Sequence, residues 1–219
     1  VAACSADRPE AERESTSTPA PEATNGVDPA LARFYSQQLA WETCHEDFQC
    51  TTVEVPLDYD APDGEVIELA MLRQPAGGDD RLGSLLVNPG GPGRSGTAYV
   101  RTGPVNDDVT ERFDIVGFDP RGVGESAPID CLDDAALDDF IETDGSPDDA
   151  TEITQLQEQT AAFVSSCADR SGEMIPHVGT VNVARDLDIL RAALGDEVLY
   201  YRGASYGTDI GAEYAELFP

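Results

Sequence analysis

The stretch Tyr200-Tyr201-Arg202-Gly203-Ala204-Ser205-Tyr206-Gly207-Thr208 decides the fold. Val198, Leu199, Tyr200 and Tyr201 form a short apolar run of β-prone residues, the pattern of a buried parallel strand. From Thr208 onward Ile210, Tyr214, Leu217 and Phe218 recur at helical spacings of three and four. Between the two, Gly203-Ala204-Ser205-Tyr206-Gly207 fits G-x-S-x-G. The sequence therefore predicts a strand, a tight turn with Ser205 at its apex, and a helix, which is the context of a nucleophile elbow. A Ser at such an apex is driven into a strained φ/ψ. The positions two residues to either side must then lack side chains that would collide.

Working outward, Ser84-Leu85-Leu86-Val87-Asn88 reads as another buried strand and runs into Pro89-Gly90-Gly91-Pro92-Gly93-Arg94-Ser95-Gly96. Acyl transfer by Ser needs a base for its proton and donors for the oxyanion. One donor is expected to be the backbone N–H of Tyr206, the residue after the nucleophile, and the other that of Gly91 in the Gly-rich loop. A phosphate cradle would need a Gly-Lys-Ser/Thr ending, and the chain has no Lys. Gly91, Gly93 and Gly96 do have the G-x-G-x-x-G spacing of a dinucleotide fingerprint, a weak signal on glycines alone. An ordinary tight turn is the remaining alternative.

Further upstream, residues 30–41, with Leu31, Phe34, Tyr35, Leu39 and Trp41, predict a short amphipathic helix. Residues 51–56 and 66–72 flank the turn signal Pro62-Asp63-Gly64 and predict an antiparallel hairpin. Phe113-Asp114-Ile115-Val116-Gly117-Phe118 is a further strand, ending in Asp119-Pro120-Arg121-Gly122-Val123-Gly124-Glu125-Ser126. Residues 127–149 are acidic and irregular, and 151–168 predict a helix with Ile153, Leu156, Phe163, Val164 and Cys167 on one face. A second helix is expected with Thr180 as N-cap, Val183, Leu187, Leu190 and Leu194 as its stripe, and Gly195 at its end. A hairpin followed by alternating strands and helices predicts an α/β fold, its sheet mostly parallel with an N-terminal antiparallel edge.

The chain has 219 residues and a formal net charge of -30, which argues against nucleic acid as a partner. All 13 basic residues are Arg. Of the five cysteines, Cys44 with Cys50 and Cys131 with Cys167 make two local disulfide candidates. None stands in a C-x-x-C pattern, and His45 beside Cys44 lacks further zinc ligands, so no metal or cofactor is expected. Cys4 is left over. Val1-Ala2-Ala3-Cys4 looks like the end of a bacterial lipoprotein signal (residues 1–4), which makes Cys4 a lipidation candidate. Residues 5–28, rich in Ser, Thr, Pro, Ala and acid, fit a disordered tether. The expected location is then extracellular or on the outer face of the cytoplasmic membrane.

Four blocks together resemble α/β-hydrolases of the tripeptidyl aminopeptidase and proline iminopeptidase type. They are Val55-Pro56-Leu57-Asp58-Tyr59, Asn88 to Gly93, Gly117 to Ser126, and Gly203 to Thr208, and the resemblance spans residues 41–219. It implies a serine exopeptidase that releases tripeptides from free peptide N-termini through an acyl-enzyme on Ser205. It also implies that Asp119 and Arg121 shape the loop beside the elbow. In this fold the triad acid and base follow the nucleophile in sequence, whereas His45 and His177 both precede Ser205. The resemblance therefore makes residues 29–219 the N-terminal part of a catalytic domain, cut after the nucleophile helix. The acid, base and cap are then expected beyond Pro219, and the isolated chain is expected to be inactive and prone to aggregate. An esterase or other acyl hydrolase, and a non-catalytic surface lipoprotein, are the alternative readings.

Overall fold

The structure, a computed structural model, describes residues 16–17 and 27–219. Cys4 and most of the predicted tether lie outside the described residues. In chain order the elements are β1 (Thr16–Ser17), a 3-10 turn at Pro29–Leu31, α1 (Ala32–Tyr35), β2 (Leu39–Ala40), β3 (Glu42–Cys44), β4 (Phe48–Pro56), β5 (Val66–Gln74) and β6 (Gly83–Asn88). There follow α2 (Gly96–Val100), α3 (Asp107–Thr110), β7 (Phe113–Phe118), α4 (Asp134–Ile141), α5 (Ala150–Ser171), a second 3-10 turn at Ile175–His177, α6 (Thr180–Ala193), β8 (Tyr200–Gly203) and α7 (Gly207–Leu217).

Six strands form one sheet in the order β3-β4-β5-β7-β6-β8. The hairpin β4–β5 runs in antiparallel register from Gln49↔Arg73 to Pro56↔Val66. β3 extends that edge antiparallel to β4, with Cys44 disulfide-bonded to Cys50. β5 meets β7 antiparallel, and β6 lies parallel to both β7 and β8. From β6 the chain steps to β7 on one side, then returns past β6 to place β8 on the other. Ligands of open α/β sheets bind beyond the carboxyl ends of the strands where the order reverses in this way. Here that point is the pair Asn88↔Gly203.

The pleat sends alternate residues to opposite faces of the sheet. Leu86 and Val116 join one buried cluster with Leu187, Ile189 and Leu190, whereas their neighbours Val87 and Ile115 join a second with Leu72 and Val100. Full burial of a Leu or Ile side chain contributes roughly 1.5–3 kcal/mol, so α6, buried from Ile189 to Ala193, anchors the larger face.

Two helix expectations change. Residues 30–41 do not form one helix: α1 stops at Tyr35, where the Ser36 hydroxyl donates back to the Ala32 carbonyl. The Gln37 side chain then bridges the Phe34 carbonyl to the Glu54 backbone. Leu39 and Trp41 are buried with Ala40 exposed between them, a strand period. The N-cap of α6 is Gly179 rather than Thr180, whose hydroxyl bonds to the Tyr206 phenol instead.

Residues 127–149 contain α4, which the acidic composition concealed. The disulfide Cys131–Cys167 and the stacked rings of Phe140 and Phe163, 4.8 Å apart, hold α4 to α5. None of α5 is fully buried, so its apolar residues serve that local packing. The cluster Asp148, Asp149 and Glu152 at its start is a capping box: Asp149 accepts from the backbone of Thr151 and Glu152, and Glu152 reaches back to the Asp149 N–H. Among the described residues no helix is long and apolar enough to cross a membrane.

Candidate active site

β8 delivers the chain to Ala204, whose N–H donates to the Asn88 carbonyl at 3.0 Å. Ser205 follows at φ +52°, and Gly207 opens α7. A left-handed conformation costs a non-Gly residue roughly 1–2 kcal/mol, so the surroundings must impose it. Bonds from Gly207 N–H to the Ala204 carbonyl and from Thr208 N–H to the Ser205 carbonyl, both 2.8 Å, close the turn. A Cβ on Gly203 would lie 2.2 Å from the Gly207 carbonyl oxygen, and one on Gly207 would lie 2.9 Å from that of Asn88. The two glycines are therefore needed where the motif has them, and Ser205 is left exposed at the apex.

The Gly-rich loop lies directly against this turn. Gly90, at φ +82°, approaches so closely that a Cβ would stand 2.3 Å from the Ala204 carbonyl oxygen and 2.8 Å from the Tyr206 nitrogen. Gly91 follows at φ +118°. The N–H groups of Gly91 and Tyr206, the two expected oxyanion donors, have no acceptor among the described residues. Gly90→Ala adds a clash to a backbone strain of roughly 1–3 kcal/mol. It is expected to lower the urea midpoint and to slow fluorophosphonate labelling of Ser205.

Beyond the loop, Ser95 caps α2 and also donates to Asp119 at 2.7 Å. Asp119 is buried and accepts in addition from the Thr97 N–H and hydroxyl and from the Glu125 N–H. It ties the start of α2 to the loop after β7. Arg121 is buried with every donor engaged. Nε and Nη2 grip both oxygens of Asp186 at 2.7 and 2.6 Å, while Nη1 and Nη2 reach the carbonyls of Leu57, His177 and Pro56. The Tyr59 hydroxyl donates to Asp186 at 2.7 Å. Burial, the largest influence, pushes the Asp186 carboxyl up, and the guanidinium and the Tyr59 hydroxyl oppose it. Burial pulls the Arg121 guanidinium down, but the same carboxylate, with Tyr59, outweighs it and leaves Arg121 raised.

Beneath the turn the Tyr201 hydroxyl donates to the Gly207 carbonyl at 2.9 Å, and burial raises its pKa well above the usual 10.0. A raised folded value means that the protonated phenol stabilises the fold fully below pH 10. That contribution is lost as pH rises through the folded pKa. Stability should therefore fall on the alkaline side of about pH 10, and Tyr201→Phe should flatten that slope while costing about 1 kcal/mol at neutral pH. Denaturant titrations across pH 8–12 would test both.

The structure thus packs the turn of Ser205 and Tyr206 against Gly90, the residue before Gly91. Neither histidine hydrogen-bonds Ser205 among the described residues. His45 sits in the disulfide turn at φ +44° beside the β3–β4 edge, and the His177 carbonyl is taken by Arg121 and Asn182. Sequence reasoning missed the Asp186 partner of Arg121 and the Thr180–Tyr206 contact, because polar residues on a predicted helix carry no mark of burial. The α/β hydrolase fold family matches residues 83–219. The chain belongs to that family. Within it, the chain is 49% identical over 176 residues to the serine protease Hip1 of Mycobacterium tuberculosis, covering 78% of this chain and 33% of that protein. It is 41% identical over 206 residues to the tripeptidyl aminopeptidase of Streptomyces lividans, covering 89% and 38%. It is also 41% identical over 179 residues to carboxylesterase B of Mycobacterium tuberculosis, covering 74% and 34%. This α/β-hydrolase chain spans between a third and two fifths of the length of the curated relatives it matches.

Proposed function

We propose that the chain carries the nucleophile and oxyanion half of a serine exopeptidase that releases tripeptides from free peptide N-termini. The observation that carries the reading is the left-handed, exposed Ser205 on a turn packed against the Gly-rich loop, with the N–H groups of Tyr206 and Gly91 both without acceptors among the described residues. Ser205 Oγ attacks the scissile carbonyl and passes its proton to a base. The oxyanion that forms is stabilised by the N–H groups of Gly91 and Tyr206, and collapse releases the shortened peptide. Water then hydrolyses the ester on Ser205. The base and its acid are supplied by sequence outside this chain, following the order Ser, acid, His of the fold. Cys4 serves as a lipid anchor on the outer face of the cytoplasmic membrane, with residues 5–28 as the tether.

Similarity to a carboxylesterase favours a second reading, ester hydrolysis by the same nucleophile. The deciding experiment gives the full-length protein tripeptide-anilides with free N-termini, the same compounds N-acetylated, and simple aryl esters. Preferential cleavage of the free tripeptides supports the exopeptidase. Cleavage of esters alone would replace it with the esterase.

A further inference from the structure

We propose that Asn88 is a positioning residue for the oxyanion hole, holding the Gly91 donor in line with the Tyr206 donor. The inference rests on the serine-hydrolase reading above. Asn88 ends β6 and is 1% exposed. Its Oδ1 accepts the Gly90 N–H at 2.8 Å, closing an Asx turn over Pro89. Its main-chain oxygen accepts the Ala204 N–H at 3.0 Å, one residue before the nucleophile. Its Nδ2 is buried with no partner among the described residues, so the side chain's polar contact is with the loop. Gly207 completes the contact: a Cβ there would lie 3.0 Å from Asn88 Oδ1.

One residue therefore grips both turns that bear oxyanion donors, through its backbone on the elbow side and its side chain on the loop side. The loop needs this grip. Gly90 and Gly91 both have positive φ and no side chain to lock them, so the Asx turn anchors the Pro89–Gly90 peptide, one unit before the peptide that bears the Gly91 N–H. Without the Oδ1 acceptor the buried Gly90 N–H is left unpaired and the two glycines are free to turn away. Loss of one oxyanion donor lowers kcat about 10²- to 10³-fold, and partial misplacement less.

The test compares Asn88→Ala and Asn88→Ser in the full-length protein, because a Ser hydroxyl can close the same turn more weakly. Active sites are first counted by fluorophosphonate titration, so that only folded, labelled molecules enter kcat. Asn88→Ala is expected to lower kcat about 10- to 100-fold with KM within about twofold, and Asn88→Ser to restore most of the loss. Unchanged kcat in Asn88→Ala, a loss confined to KM, or a Ser variant no better than Ala would overturn the proposal. Ser205→Ala run alongside separates the two readings. If it keeps wild-type turnover the serine-hydrolase reading fails, and if it is inactive while Asn88→Ala is not, only the positioning role fails.

Discussion

Ser205→Ala in the full-length protein is expected to lower kcat about 10⁴- to 10⁶-fold, with KM little changed and labelling by a fluorophosphonate abolished. Removing the nucleophile of a serine hydrolase costs about as much as removing its whole triad, since the members act as a unit. The residual activity comes from the oxyanion hole and substrate binding. Stability provides a second readout that a bystander serine would not give. Ser205 sits at φ +52°, a strain that Ala shares and Gly does not. Ser205→Gly is therefore expected to be as inactive as Ser205→Ala and about 1 kcal/mol more stable than either Ser or Ala at the site. Turnover in the Ala variant within tenfold of wild type would remove Ser205 as nucleophile. A Gly variant no more stable than Ala would remove the claim that the elbow stores strain.

The elbow was legible in the sequence because its requirements are steric. Gly203 and Gly207 stand where any side chain would meet backbone within 3 Å, and the change from β-prone to helical spacing marks the turn. The strand 113–118 was legible for a similar reason: buried on both faces, it shows as an apolar run interrupted only by Asp114. Both disulfides pair cysteines that the expectation had joined. What failed was periodicity over short, mixed segments. Leu31, Phe34 and Tyr35 fit a helix and Leu39 and Trp41 fit a strand, yet in a single window all five satisfy helical spacing. Buried charge was also illegible. Asp186 and Asp188 look like the wet face of α6, but Asp186 is clamped by Arg121, and Asp188 accepts from Tyr35, Tyr214 and Arg191. The geometry joining Asn88 to the elbow depends on two strands 112 residues apart (88 to 200) lying side by side, which no local pattern encodes.

That buried charge supports the second large expectation, a loss of about 3–5 kcal/mol in Arg121→Met. The side chains of Arg121 and Asp186 are wholly inaccessible, 2.6 Å apart. Taking two charges out of water offsets most of their attraction, so the intact pair need not stabilise the fold much. Removing one partner is different: Asp186 would keep its charge or take up a proton in a site built for a guanidinium, and either is costly. Three backbone carbonyls, of Pro56, Leu57 and His177, would also lose donors. These carbonyls lie at the end of β4, just after it and before α6, so one guanidinium ties the hairpin to the helix that anchors the larger core. Arg121→Lys is expected to cost nearly as much, because a single ammonium cannot reproduce a planar fork serving five bonds. The double variant Arg121→Met with Asp186→Leu is expected to cost less than Arg121→Met alone, since it leaves no uncompensated charge. Urea midpoints of the three variants decide the matter. A Lys variant equal to wild type would mean that charge alone holds the site. A double variant worse than the single would mean that Asp186 contributes through Tyr59 rather than through Arg121.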